Sequence, residues 1–212
     1  MGTFRESMTE EDQDWIRKQK LFVVGTCPLE ARGHVNISPK GCDCLRIISA
    51  NQVMYLDLTG SGVETITHLR QNGRITFMFC AFEGSPRIMR LFGKARVYER
   101  QDPEFDKLFK QHFSEWENSS ISVGARSIIV ADIDKVGQSC GFGVPLYDYQ
   151  GDRDNLRKSY ARFGSTLDRF CQYWCTKNER SIDGIPSGLL GKNGFELHIL
   201  SSWHRLQGVM PL

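Results

Sequence analysis

Between residues 21 and 133 the chain is cut into short apolar, β-branched runs, and most of the gaps between them are only a few residues long. That spacing is the strongest constraint on the fold. A parallel pair of strands needs a crossover of a dozen or more residues, so strands joined by tight turns must be antiparallel neighbours. The runs are residues 21–26, 34–38, 44–48, 53–58, 74–82, 87–100 and 125–133. Residues 34–38 alternate in polarity, as a half-buried strand does. In the run 87–100, Leu91, Gly93, Ala95 and Val97 share one face, while Arg90, Lys94 and Arg96 share the other. The small pair Gly93 and Ala95 marks a bulge or a close approach by another segment. Short antiparallel strands in this number predict a small closed or nearly closed barrel, mostly β, with helices at its periphery.

The helices announce themselves by their ends. Thr9, Glu10, Glu11 and Asp12 form an N-terminal capping pattern ahead of Trp15 and Ile16, and Arg17, Lys18 and Lys20 follow. Ser61 with Glu64 reads as a capping box for a helix over 63–72 that stops at Asn72-Gly73. Asp102-Pro103 opens another helix, with Phe105, Leu108, Phe109 and Phe113 on its apolar side. Residues 136–149 extend the sheet, then become irregular at Gly141, Gly143 and Pro145. Residues 153–177 carry a helical stripe from Leu156 to Trp174 with a weak point at Gly164. The expected organisation is a barrel domain over 1–150 and a helical C-terminal extension over 151–212, packed on the barrel or on a partner chain.

Composition narrows the function. Lys plus Arg is 27 and Asp plus Glu is 25, so a net charge of +2 gives no electrostatic reason to expect nucleic acid. No apolar run reaches the ~18 residues that a membrane span requires. The polar, acidic start has no signal-peptide core, so the expected compartment is the cytoplasm. The seven cysteines have irregular spacings and sit mostly in apolar runs, which suits buried thiols and no metal site. There are no paired carboxylates, no Ser-His-Asp order and no nucleotide P-loop.

Three stretches resemble a known family. They are 34–41 (HVNISPKG), 55–62 (YLDLTGSG) with the helix and strand after it, and 126–133 followed by 139–145 (SCGFGVP). Together they resemble the pyridoxamine 5′-phosphate oxidase-like family, the FMN-binding split barrels, and most closely its uncharacterised branch. Lys177-Asn178 followed by 181–186 (SIDGIP) resembles a motif of that branch. The resemblance implies a six-stranded antiparallel split barrel and a homodimer with ligand sites at the interface. It implies FMN as cofactor and, from the family name, a flavin-dependent oxidoreductase acting on a small molecule. Carried over, the phosphate positions are Ser38, Pro39 and Lys40, then Leu58, Thr59, Gly60 and Ser61. Cys140, Gly141 and Phe142 would border the flavin ring.

The residues themselves suit a phosphate. Lys40 is a cation beside Gly41, and the turn 59–62 precedes a helix N-terminus, where free N–H groups favour an anion. One departure stands against it. The oxidases carry an Arg-Lys pair early in this helix, and Glu64 and Thr65 stand there instead. Arg46, Arg74 and Arg126 are the cations that neighbouring strands could supply. His34 and His68 are the nearest histidines. The alternatives are a deazaflavin in place of FMN, a flavin-free binding module for haem or another flat ligand, and a cofactor-free isomerase or cyclase.

Overall fold

The structure is a computed structural model, and it describes residues 2–163 and 167–189. One antiparallel sheet organises it. Its strands are β1 (Thr3–Arg5), β2 (Phe22–Thr26), β3 (Asn36–Lys40), β4 (Leu45–Ser49), β5 (Gln52–Leu58), β6 (Arg74–Cys80), β7 (Ile88–Glu99) and β8 (Ala125–Ser139). The order across the sheet is β3-β2-β6-β7-β8-β5-β4, with β1 added to β8. The end strands β3 and β4 do not pair with each other. The sheet nevertheless curls until the Phe22 ring on β2 meets the Tyr55 ring on β5 edge-on at 5.8 Å, although β6, β7 and β8 lie between them in the order. This is a split barrel.

The sheet has eight strands rather than the six expected. Seven of them, β2–β8, are the seven runs of the sequence, and the eighth, β1, follows from the length of β8. β5 pairs it only from Ala125 to Asp132, and its far half would be an open edge. β1 covers Val136–Gln138 there. The sheet does not continue through residue 149, because β8 ends at Ser139.

Two bulges shape β8. Phe92 pairs with Lys135 and Gly93 with Ile133, so Asp134 is an extra residue. A Cβ on Gly93 would lie 2.0 Å from the Asp132 carbonyl oxygen, which explains the glycine. The second bulge is at Arg126, since Asp57 pairs with Ser127 and Leu58 with Ala125.

The core is aromatic. Phe22, Tyr55, Phe77 and Phe79 are buried against one another inside the curl. Burying each such ring is worth roughly 1.5–3 kcal/mol. The helices are α1 (Glu10–Lys18), α2 (Glu64–Asn72), α3 (Pro103–His112), α4 (Ser120–Gly124), α5 (Asn155–Phe163) and α6 (Leu167–Lys177). The Thr9 capping box and the Asp102 cap with proline behind it form as the sequence predicts. Gly73 closes α2 at φ 71°. Residues 153–177 divide into α5 and α6, and the expected weak point Gly164 lies outside the described residues, as does the tail beyond Leu189. α5 and α6 both pack on α4, at the start of β8. No described helix is long and apolar enough to cross a membrane.

Candidate ligand site at the split of the barrel

The site is built on β3, the end of β5 and the start of α2. β3 is an edge strand, and its alternation turns Asn36, Ser38 and Lys40 to the half-buried side, with Ile37 and Pro39 outward. The inward stripe is thus wholly polar. Asn36 donates to Thr65 Oγ1 at 3.0 Å and to Thr26 Oγ1 at 3.2 Å. Ser38 donates to Asn36 Oδ1 at 3.1 Å. Lys40 Nζ lies 3.8 Å from Asp57 Oδ1 and 5.9 Å from the centre of the Tyr55 ring.

Beneath that stripe are buried polar atoms with no hydrogen bond to a described residue. The Tyr55 hydroxyl and Asp57 Oδ1 are buried and accept or donate no hydrogen bond among the described residues. Burial, with Asp57 and Cys44 nearby, pushes the Tyr55 phenol well above its ordinary range. Burial also pushes the Cys44 thiol up to about 12, so it is not a nucleophile at neutral pH. Burial alone would raise the Asp57 carboxyl, but Arg126 and then Lys40 outweigh it, and the group titrates below the usual carboxylate range.

The bulge explains how Arg126 reaches this point. An extra residue re-aims its side chain. The guanidinium is 4% exposed and donates to Asp57 Oδ2 at 2.8 Å, to the Gly62 carbonyl at 3.0 Å and to Asn178 Oδ1 at 2.9 Å. Asn178, fully buried just past α6, donates through Nδ2 to the carbonyls of Gly60 at 3.0 Å and Ser61 at 3.1 Å. Tyr160 on α5 donates to the Thr59 carbonyl at 2.7 Å, and Trp174 on α6 donates to Thr59 Oγ1 at 2.9 Å. So the carbonyls of Thr59, Gly60, Ser61 and Gly62 are all held from one side.

This fixes the opposite side of the turn. No peptide here is cis, so each N–H points away from the carbonyl before it. The N–H groups of Gly60, Ser61, Gly62 and Val63 therefore turn away from Asn178 and Arg126, and none bonds to another described residue. The N-terminus of α2 adds to them. Its cap is Val63, with no side-chain hydrogen bond, so the expected Ser61–Glu64 capping box does not form. Glu64 is used differently. Its Oε1 accepts the Ile182 N–H at 3.2 Å, and its Oε2 lies 2.6 Å from where a Gly62 Cβ would be. A carboxylate thus leans over the turn from which the family's cations are missing.

The other candidates fall into place around this corner. Arg46 is engaged by Glu115 and the His112 carbonyl, and Arg74 by Asn72 and the Pro28 carbonyl, so Arg126 is the cation that reaches the turn. His68 is buried, bonded through Nδ1 to Thr26 Oγ1 at 3.0 Å, with Nε2 unpartnered. Burial lowers its pKa against the opposing pull of Glu64 and Asp183, which keeps the ring neutral. His34 is exposed and pairs with Asp183 at 2.5 Å. The turn 180–186 that carries Asp183 is closed by an Arg180–Pro186 bridge.

Cys140, Gly141 and Phe142 are not brought to this corner. They follow the far end of β8, a 15-residue strand whose extended length is up to roughly 45 Å at ~3.3 Å per residue. Gly141, at φ 70°, packs on the Arg87 backbone, and Phe142 is 81% exposed, with no ring contact among the described residues. A cavity of about 350 Å³ lies between α1, the turn after β3 and β4, with Phe22, Cys44 and Phe79 in its floor and Lys20, Gly41 and Tyr149 at its rim.

Sequence reasoning missed Arg126 as the organiser of the turn and Asn178 as its partner. The bulge that redirects Arg126 has no glycine to announce it. Asn178 stands out in the sequence only as part of a motif.

Comparison with known proteins agrees with this frame. The model of the family described as "Pyridoxamine 5'-phosphate oxidase" matches residues 8–140, well over half of the chain. The pyridoxamine 5′-phosphate oxidase family protein ustO of Aspergillus flavus is 41% identical over 199 residues, covering 88% of this chain and 78% of that one. Among solved structures, HupZ from Group A Streptococcus has a TM-score of 0.47 at 22% identity, covering 61% of this chain and 91% of that one. An FMN-binding protein from Syntrophomonas wolfei has a TM-score of 0.42 at 17% identity, covering 57% and 77%. The structural likenesses are distant, and the assignment rests on the two sequence matches. By those matches, the chain belongs to the pyridoxamine 5′-phosphate oxidase family.

Proposed function

We propose that this chain is a flavoprotein that binds FMN at the split of the barrel and acts as a flavin-dependent oxidoreductase on a small molecule. The observation that carries the reading is the turn 59–63, whose carbonyls are held on one side so that its N–H groups are free on the other. An array of free N–H groups at a helix N-terminus is a site for a phosphate. The Tyr55 hydroxyl and Asp57 Oδ1 add buried polar atoms with no hydrogen bond to a described residue.

In this reading Lys40 supplies the fixed cation, Ser38 a hydroxyl, and the turn the N–H donors for the phosphate. When bound, the flavin ring would accept a hydride from the substrate and pass electrons to an acceptor. Arg126 and Asn178 hold the turn in place. Asp57 keeps the Lys40 ammonium oriented. We further propose that the working unit is a homodimer. Within one chain Cys140, Gly141 and Phe142 lie far from the turn, so they would border a ring only across an interface. The apolar outer face of the β3 edge, with Val35 and Ile37 exposed, supports such an interface. A cytoplasmic setting is consistent with seven unpaired cysteines.

The test is the visible spectrum of the purified protein with and without added FMN. A perturbed flavin spectrum that is lost in Lys40→Ala supports the reading, and absence of binding with excess FMN overturns it. One observation favours a second reading, a flavin-free binding module: the Glu64 carboxylate beside Gly62 opposes a dianionic phosphate. A wild-type chain that ignores FMN, joined to a Glu64→Gln variant that binds it, would establish that second reading.

A further inference from the structure

We infer that Asn178, from the C-terminal extension, is a positioning residue of the anion site, setting the peptide orientation that frees the N–H groups of residues 61 and 62. The inference rests on the phosphate reading of the turn given above.

Asn178 is fully buried, and its side chain makes three hydrogen bonds. An amide offers two N–H donors and one carbonyl acceptor. Here the donors go to Gly60 and Ser61, and the acceptor takes Arg126. Its location next to the end of α6 would let it cap that helix. Instead it satisfies carbonyls 118 and 117 positions away in sequence.

The recipient is a turn with little stiffness of its own. Gly60 and Gly62 flank Ser61, and glycine populates both signs of φ with similar ease. A turn of that composition would otherwise sample both peptide orientations. Only one of them points N–H groups away from the protein and toward an incoming anion. Fixing it before the ligand arrives removes an ordering cost at binding. Nearby, the Tyr55 hydroxyl and Asp57 Oδ1 are buried with no hydrogen bond to a described residue, and Asp57 Oδ1 faces the Lys40 ammonium at 3.8 Å.

The discriminating variant is Asn178→Asp. It can still pair with Arg126, but it loses both donors and sets an acceptor against two carbonyls. FMN and riboflavin, which differ by the phosphate, are titrated by flavin fluorescence against wild type and variant. Chemical shifts of the 61 and 62 amides are followed on adding inorganic phosphate. The expected result is a cooperative melt, FMN affinity reduced tenfold or more, and riboflavin affinity unchanged. Unchanged FMN affinity, or equal losses for FMN and riboflavin, would overturn the inference. If the variant does not melt cooperatively, Asn178→Ser, which keeps one donor, is expected to lose FMN affinity about threefold with riboflavin again unchanged. If wild type binds no FMN, the cofactor reading fails by itself. The phosphate titration then decides: amide shifts in wild type that vanish in Asn178→Asp support the inference, and no shifts in wild type sink it.

Discussion

The Arg126 guanidinium donates to the Asn178 side-chain oxygen at 2.9 Å across 52 positions of sequence, and the two side chains between them hold three consecutive carbonyls of the turn 60–62. One of the two belongs to the barrel and the other to the extension. The turn 60–62 is therefore clamped by both the barrel and the segment after α6, with Asp57 as the buried counter-charge of the clamp.

Removing the cation exposes what it compensates. Arg126→Met would leave the fully buried Asp57 carboxylate with the Lys40 ammonium at 3.8 Å as its counter-charge and the Ser127 hydroxyl at 3.3 Å. The expected loss is about 3–5 kcal/mol of unfolding free energy, the usual cost of orphaning a buried charge. Adding Asp57→Asn to that variant should restore more than half of it. Urea unfolding of the two single variants and the double variant gives the coupling, and additive losses would mean the pair is not coupled.

Much of this fold is legible in the sequence, for physical reasons. Strand alternation and turn residues are local signals, so the antiparallel barrel, the Thr9 and Asp102 caps and the crowded Gly93 can all be read. The Gly73 stop can be read for the same reason. β1 cannot, because Thr3–Arg5 is polar and becomes a strand only by covering the far edge of β8. At the candidate site, the turn 59–61 can be read from its glycines, and the N–H groups of residues 60–63 make no hydrogen bond to a described residue. Ser61 and Glu64 have the letters of a capping box, but the helix starts later and Glu64 serves the 181–186 segment instead. Cys140, Gly141 and Phe142 are grouped with the turn by resemblance, and one chain does not join them. The Arg126–Asn178 clamp depends on a bulge and on helix docking, neither of which leaves a local trace.

Glu64 should weaken phosphate binding. Its carboxylate lies beside Gly62, at the end of α2 where the dipole favours an anion. Glu64→Gln removes the like charge and keeps an acceptor for the Ile182 N–H. FMN affinity is expected to rise about tenfold, or ~1.4 kcal/mol. Riboflavin affinity should not change. Isothermal titration with the two flavins reads the difference, and an equal gain for both would point to a rearranged pocket rather than relieved repulsion.

His68 predicts a pH dependence. Burial lowers its folded pKa, while the unfolded ring keeps a value near ~6.5. Above that value the ring is neutral in both states and contributes no penalty. As pH falls through ~6.5 the unfolded chain takes up a proton that the buried ring refuses, so stability falls until the folded pKa is reached. Urea midpoints measured between pH 7.5 and 5 should decline in wild type. The decline should be shallower in His68→Gln, and an identical slope would show that His68 is not the group responsible.

The dimer makes the last prediction. Among the described residues β3 has an unpaired edge, and its outer face shows Ile37 at 70% exposure, with Val35 just before it at 67% and Leu29 on the preceding loop at 64%. An apolar stripe on an open edge invites another chain, and edges left in water usually carry charge instead. Covering that face with a second copy would also allow residues from the far end of a partner's β8 to approach the turn, which one chain does not permit. Sedimentation should therefore give twice the 24.2 kDa chain mass. Ile37→Asp places a charge in the stripe without touching Asn36, Ser38 or Lys40, which face the other way. It should yield monomers with a cooperative melt, and FMN binding should fall with the loss of the dimer. Dilution series monitored by sedimentation and flavin fluorescence together test this link. A monomeric wild type, or a monomeric Ile37→Asp that binds FMN as tightly as wild type, would show that the site is complete within one chain.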